Sequence, residues 1–116
     1  MKCYVLNLDR SKDRYDVFLN NFSHTKLEVE RIVAVEGREL SEKSPEFSVW
    51  RYQYLHGQHF NGSVFGCAMS HLKAMTTFLA TEDSHAMICE DDVTATPDLD
   101  RVLTECMRYR KSWDLL

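Results

Sequence analysis

Three acidic residues in a row, Glu90-Asp91-Asp92, close the short apolar run Ala86-Met87-Ile88-Cys89. Like charges set side by side repel, so the cluster costs stability unless a cation or hydrogen-bond donors offset it. Carboxylate oxygens are the preferred ligands of hard cations such as Mg²⁺ and Mn²⁺, which keep other positions for water or phosphate. Side chains alternate in direction along an extended chain, so Glu90 and Asp92 are expected on one side and Asp91 on the other. An E-x-D pair of this kind can serve a metal and a diphosphate together. The plainer reading is an acidic loop in which Asp92 or Thr96 caps a helix, a common use of both residue types.

Other candidates are weaker. Asn7, Asp9 and Arg10 follow the apolar stretch Cys3–Leu6 and could hold a nucleotide base or ribose; the alternative is a solvated strand-to-helix loop. Cys67 and His71 stand i, i+4 apart, and His56 and His59 lie close in sequence. Each pair could supply half a metal site, and neither has a visible second half. A structural hydrogen bond is the simpler role for a histidine on a helix flank. Ser70 beside His71 is no nucleophile–base pair, because adjacent helical residues point roughly 100° apart. The chain also has no G-x-S-x-G elbow. Glu90 to Thr94 reads E-x-D-x-T, not the D-x-D-x-T of haloacid-dehalogenase-type phosphatases, and the longer Glu would misplace an attack. A calcium loop over Asp91 to Asp100 fails on spacing and lacks the central glycine.

These residues need elements to position them. The run Cys3 to Leu8 suits a strand buried on both faces. Ser11 is a good helix cap, and Tyr15, Phe18, Leu19 and Phe22 then recur on one helical face. Glu30 to Val35 is β-branched and strand-like, and Glu36-Gly37-Arg38 is a turn. Residues 39–62 read poorly: Pro45 interrupts them, and a short helix fits Ser48 to Leu55. From Ser63 a helix is clear, capped by Asn61-Gly62-Ser63. Phe65, Ala68, Met69, Leu72, Met75 and Leu79 form its expected buried stripe, with Gly66, Ser70 and Lys73 opposite. His85 to Cys89 is the strand leading into the acidic triplet. Thr96-Pro97 is expected to open a last helix buried through Leu99, Val102, Leu103 and Cys106. Trp113-Asp114-Leu115-Leu116 begins another strand. Alternation of this kind predicts an α/β fold, a mostly parallel, Rossmann-like sheet flanked by helices and joined by right-handed crossovers. Ligands of such sheets bind beyond the C-terminal ends of the strands, where the acidic triplet and Asn7–Arg10 both fall.

The 116 residues are expected to form one domain. With 44% hydrophobic and 28% charged residues the chain is ordinary globular material, so disorder is excluded for most of it. A formal net charge of -4 gives no basic footprint, which argues against nucleic acid as a partner. The cysteines at 3, 67, 89 and 106 show no CxxC spacing and read as reduced thiols of a cytoplasmic protein. No apolar run approaches the length of a membrane span, so any membrane contact is expected to be peripheral.

Several stretches together resemble glycosyltransferase family 25, which includes bacterial lipooligosaccharide galactosyltransferases and collagen galactosyltransferase domains. Tyr4-Val5-Leu6-Asn7-Leu8-Asp9-Arg10-Ser11, followed by Arg14, is similar to the family's opening. Gly66-Cys67-Ala68-Met69-Ser70-His71 is similar to its G-C-x-x-S-H helix motif, and Glu90-Asp91-Asp92 to its E-D-D. Ala34-Val35-x-Gly37 and Trp113-Asp114 also fall where the family has similar residues. The resemblance implies a GT-A type domain that transfers a hexose, commonly galactose from UDP-galactose, to a lipooligosaccharide or other glycan acceptor, inverting at the anomeric carbon. By the same resemblance, Glu90, Asp91 and Asp92 would hold Mn²⁺ or Mg²⁺ and the diphosphate, with Glu90 and Asp92 on the metal. Asn7, Asp9 and Arg10 would line the uridine site, and Ser70 and His71 would lie near the donor pocket. It implies a cytoplasmic enzyme at the inner face of the inner membrane. Family members run longer, so the expectation is the donor-binding half of a transferase, with no general base assigned. The competing class is a non-catalytic nucleotide-sugar- or partner-binding module, whose incomplete sheet would expose an edge and favour a homodimer.

Overall fold

The computed structural model describes residues 1–40 and 48–112. The break at Pro45 and the strand expected from Trp113 lie outside these residues. Three strands, β1 (Lys2–Asn7), β2 (Glu28–Val33) and β3 (Ala86–Glu90), form one parallel sheet in the order β2-β1-β3. Four helices flank it: α1 (Lys12–Phe22), α2 (Val49–His56), α3 (Gly62–Leu79) and α4 (Leu99–Arg108). A single 3₁₀ turn, Gly37–Glu39, follows β2, and another, Arg110–Ser112, follows α4. The expected α/β class is therefore the observed one. No described helix is long and apolar enough to cross a membrane.

The central strand is the one whose sequence is apolar almost throughout, as burial on both faces requires. Cys3 to Asn7 are all buried. On one face Cys3, Val5 and Cys89 meet Phe18 and Phe22 of α1, whose rings stack 4.0 Å apart, and Leu99 of α4 packs alongside. On the other face Tyr4, Leu6 and Ile32 meet Ala74 of α3, flanked by Phe78, Ala86 and Ile88. Odd and even residues of β1 thus serve opposite layers. All four cysteines are free thiols; Cys3 and Cys89 are buried together with sulfurs 3.7 Å apart.

The largest departure from expectation is the rotation of α3. Its buried residues are Phe65, Gly66, Ser70 and Ala74, whereas Leu72, Met75 and Leu79 face outward. Phe65 is buried as expected, but beyond it the small side chains, not the rest of the apolar stripe, lie on the buried side. Close approach explains the choice. A Cβ on Gly66 would lie 2.8 Å from Gly37 Cα and 2.9 Å from Val35 O, and a Cβ on Gly37 would collide with the backbone of Gly62. The helix and the 3₁₀ turn touch backbone to backbone, which only glycine permits there.

Smaller departures concern boundaries. β2 begins at Glu28 and ends at Val33, because β1 runs out at its partner Asn7. Beyond that point Val35 N–H donates to Ser70 Oγ at 2.8 Å instead of to a strand. β3 starts at Ala86 and runs through Glu90. Ser11 does precede α1, but its side chain makes no capping bond. α4 begins at Leu99 with Asp98 at the cap position. Thr96 lies before it and donates to Asp98 Oδ1 at 2.9 Å. None of the apolar residues of α4 is fully buried. The cap of α3 is as expected, Asn61 accepting from Ser63 N–H at 3.0 Å; α2 is capped by Ser48, which accepts from Arg51 N–H at 3.3 Å.

Candidate functional site

In a sheet of order 2-1-3 the chain leaves β1 toward one side and returns on the other, so a crevice opens beyond the C-terminal ends of β1 and β3. A cleft of about 260 Å³ lies there. Leu6 of β1 and Leu8 just beyond it, Val35 to Arg38 beyond β2, Cys67 and Ser70 of α3, and Glu90 to Asp92 line it, with Arg10 before α1 and Arg14 in its first turn.

Asn7 is 1% exposed and ties the floor together. Its Nδ2 donates to Asp91 Oδ2 at 2.6 Å and to Ser11 O at 2.8 Å, while its Oδ1 accepts from Arg31 Nε at 2.8 Å. The Arg31 guanidinium lies over the Tyr15 ring and pairs with Asp9 Oδ1 at 3.0 Å. Arg14 Nη2 pairs with the second oxygen of Asp91 and stands 3.7 Å from Asp92 Oδ2. Asp91 therefore has both oxygens engaged by protein donors, with only 8% of its side chain exposed. It acts as a post joining the ends of β1, β3 and α1.

Strand alternation turns Glu90 the other way, toward α3. Cys67 Sγ donates to Glu90 Oε1 at 3.4 Å, and His71 Nε2 lies 3.6 Å from the same oxygen. Partial desolvation pushes the Cys67 thiol above its ordinary range, and the hydrogen bond and charge of Glu90 push it the same way. Asp92 stands just past the last strand residue, where alternation no longer applies, and its carboxylate is 66% exposed. Glu90 and Asp92 are the acidic-triplet carboxylates that keep half or more of their side chains exposed at the cleft, and carboxylate oxygen is the ligand type a hard divalent cation takes. Asp91 is committed elsewhere.

Ser70 is buried beneath the cleft. It donates to Gly66 O at 2.6 Å and accepts from Val35 N–H, so its hydroxyl fastens the end of β2 to α3. Arg10 Nε pairs with Glu36 Oε2 at 2.7 Å across the mouth, and that hydrogen bond is the main reason the Glu36 carboxyl sits below the usual range. Of the expected site residues, Arg10, Ser70, Glu90, Asp91 and Asp92 line the cleft; Asn7 is buried and bonded to Asp91, while Asp9, exposed and paired with Arg31, and His71 are not among the lining residues. Asn7, Ser70 and Asp91 serve as framework there, and Arg10, Glu90 and Asp92 as cleft wall. His56 and His59 are exposed and join no described metal-capable group.

Sequence reasoning passed over Arg14, Arg31, Glu36 and Arg38 as site residues. Arg14 had a readable signal. It precedes Phe18 by one helical turn and therefore shares the sheet-facing side of α1 at the edge where β1 ends. Arg31 had none, since its partners Asn7 and Asp9 are set by strand register.

Over its whole length, residues 1–116, the chain matches the family described as Glycosyltransferase family 25 (LPS biosynthesis protein). A glycosyltransferase 25 family member of Aedes aegypti is 27% identical over 121 residues, covering 97% of this chain and 20% of the relative. Procollagen galactosyltransferase 2 of Mus musculus is 25% identical over 124 residues, with the same 97% and 20% covered. The chain thus spans about a fifth of the length of these relatives. No solved structure matches.

Proposed function

Because the chain belongs to glycosyltransferase family 25, we propose that its cleft binds a UDP-hexose, UDP-galactose in the first instance, for transfer of the sugar to a glycan acceptor of the lipooligosaccharide class. The observation that carries this reading is the mixture of opposite charges lining the strand-end crevice. The guanidinium groups of Arg10, Arg14 and Arg38 and the carboxylates of Glu90 and Asp92 line the same cleft, with Arg14 Nη2 3.7 Å from Asp92 Oδ2. Guanidinium forks suit phosphate oxygens. Open carboxylates suit a hard cation bound with the same diphosphate. The galactose preference is supported by the name of the mouse relative, a procollagen galactosyltransferase, and the acceptor class by the family's link to LPS biosynthesis.

Each residue then has a task. Arg38 and Arg10 orient the diphosphate. Glu90 and Asp92 would hold Mn²⁺ or Mg²⁺, which when bound neutralises charge developing on the departing UDP. Asn7 and Asp91 keep the crevice at fixed width by locking β1 to β3, and Ser70 keeps the 3₁₀ turn bearing Arg38 on α3. Such positioning lowers the barrier by holding reacting groups in place rather than by touching them.

Calorimetric titration of UDP and UDP-galactose with and without Mn²⁺ tests the reading. Binding should strengthen with the metal. It should weaken at least about tenfold in Asp92→Ala, and Arg38→Ala should weaken it with or without metal. Absence of binding under every metal condition would sink the proposal. Binding without any galactose transfer to a lipooligosaccharide acceptor would leave a nucleotide-sugar-binding module in its place.

A further inference from the structure

The acidic triplet faces two ways, and its α3 side gathers a different set of ligand atoms. Cys67 Sγ, His71 Nε2 or Nδ1 and a Glu90 carboxylate oxygen all lie within 4.8 Å of one another, the only such group of three among the described residues. Glu90 Oε1 is common to both close approaches, at 3.4 Å from the sulfur and 3.6 Å from the imidazole nitrogen. A tetrahedral zinc ion with ordinary bond lengths sets its sulfur and oxygen ligands about 3.5 Å apart and its nitrogen and oxygen ligands about 3.3 Å apart. The side chains already stand at nearly those separations.

We propose that Cys67, His71 and Glu90 form a three-ligand site for a borderline-soft divalent cation, Zn²⁺ in kind, distinct from the hard-cation site formed with Asp92. A thiolate, an imidazole and one carboxylate select zinc or cobalt over magnesium or manganese. Cys67 and His71 present their ligands from one face of α3 at i, i+4 spacing. The helix is fixed beside each of them, by the backbone contact of Gly66 with Gly37 and by the Ser70–Val35 hydrogen bond. His71 and Glu90 keep 34% and 50% of their side chains exposed, which leaves an entry path. The proton that Cys67 now donates to Glu90 passes to solvent as the sulfur takes the metal. Three protein ligands leave a fourth position for water. Glu90 belongs to both sites, so zinc binding withdraws it from the hard cation. The site does not depend on the sugar-nucleotide reading.

Cobalt titration of the full chain after treatment with a chelator is the test, with no nucleotide present. A near-ultraviolet thiolate-to-cobalt band and tetrahedral visible bands should develop at one equivalent and vanish on adding Zn²⁺. Cys67→Ser and His71→Ala should abolish the thiolate band, while Cys106→Ser and Asp92→Ala should retain it. Cobalt bound without a thiolate band, or a band that survives Cys67→Ser, overturns the site. A second measurement needs no variant. One equivalent of Zn²⁺ should slow alkylation of Cys67, mapped by mass spectrometry, at least about tenfold, and Mg²⁺ should not; an unchanged rate with zinc refutes the proposal. Because Asp92→Ala separates the two sites, failure here leaves the UDP-sugar reading standing, and the reverse holds too.

Discussion

A buried amide has two donors and an acceptor to satisfy, and Asn7 satisfies them with Asp91, Ser11 and Arg31. Replacing it by Ala removes one hydrogen bond from each of three partners, one of them a nearly buried carboxylate left with Arg14 alone. Asn7→Ala should therefore destabilise the domain by about 3 kcal/mol in urea unfolding, a loss that Asn7→Asp would not repair beside Asp91. At the mouth, Arg10 holds the Glu36 carboxyl below its ordinary range. A carboxyl depressed in the folded state contributes stability above its unfolded pKa and loses it as pH falls through the folded one. The pair is exposed, so the effect belongs in a spectrum rather than in a melting curve. Titrated by NMR, Glu36 should protonate at higher pH in Arg10→Ala than in the native chain. Asp9 and Arg10 could be read from sequence as strand-end polar residues. That Asn7 would be framework rather than ligand contact could not, since its partners lie 24 and 84 positions away.

The elements were legible from periodicity, and the facing of α3 was not. A hydropathy stripe weighs Leu72, Met75 and Leu79 above Gly66, Ser70 and Ala74. The fold instead chose size, because the 3₁₀ turn must approach α3 at backbone distance. Gly66→Ala sets two effects against each other. Helix propensity favours Ala by about 1 kcal/mol. Overpacking against the backbone of Gly37 and Val35, which cannot step aside like a flexible side chain, costs about 1–3 kcal/mol. A net loss of up to about 2 kcal/mol is expected by thermal or chemical denaturation, with weaker zinc or cobalt binding because Cys67 is the next residue. The boundary shifts of β2 and α4 have a similar origin. Val35 leaves the strand for the Ser70 hydroxyl, and Thr96 bonds to Asp98 instead of to a helix N–H; neither partner is visible from local sequence.

At the scale of the molecule, the price of burying small residues is an apolar exterior. Leu72 is 54% exposed and Leu79 78%, and on α2 Trp50 and Tyr54 stack on each other while 70% and 78% exposed. Single exposed apolar residues are ordinary, but this many on two helices favour association. A double variant, Leu72→Glu with Leu79→Glu, should change folding stability by no more than about 0.5 kcal/mol per site. It should lower self-association at high concentration in sedimentation velocity. An unchanged sedimentation profile would remove α3 as the sticking surface.

The strand order carries a last consequence, for the sequence of events during synthesis. β1 is made first and sits in the middle of the sheet, with β2 on one side and β3 on the other. Its pairing with β2 can form once Val33 has emerged, but the second edge of β1 stays unpaired until Ala86 to Glu90 arrive. Contacts of such sequence separation form late and slowly. Until then the apolar central strand offers a bare edge, the kind of surface that chaperones recognise and that aggregates. The carboxylates at the cleft, Glu90 to Asp92, stand at and just past the end of the strand that closes this exposed interval.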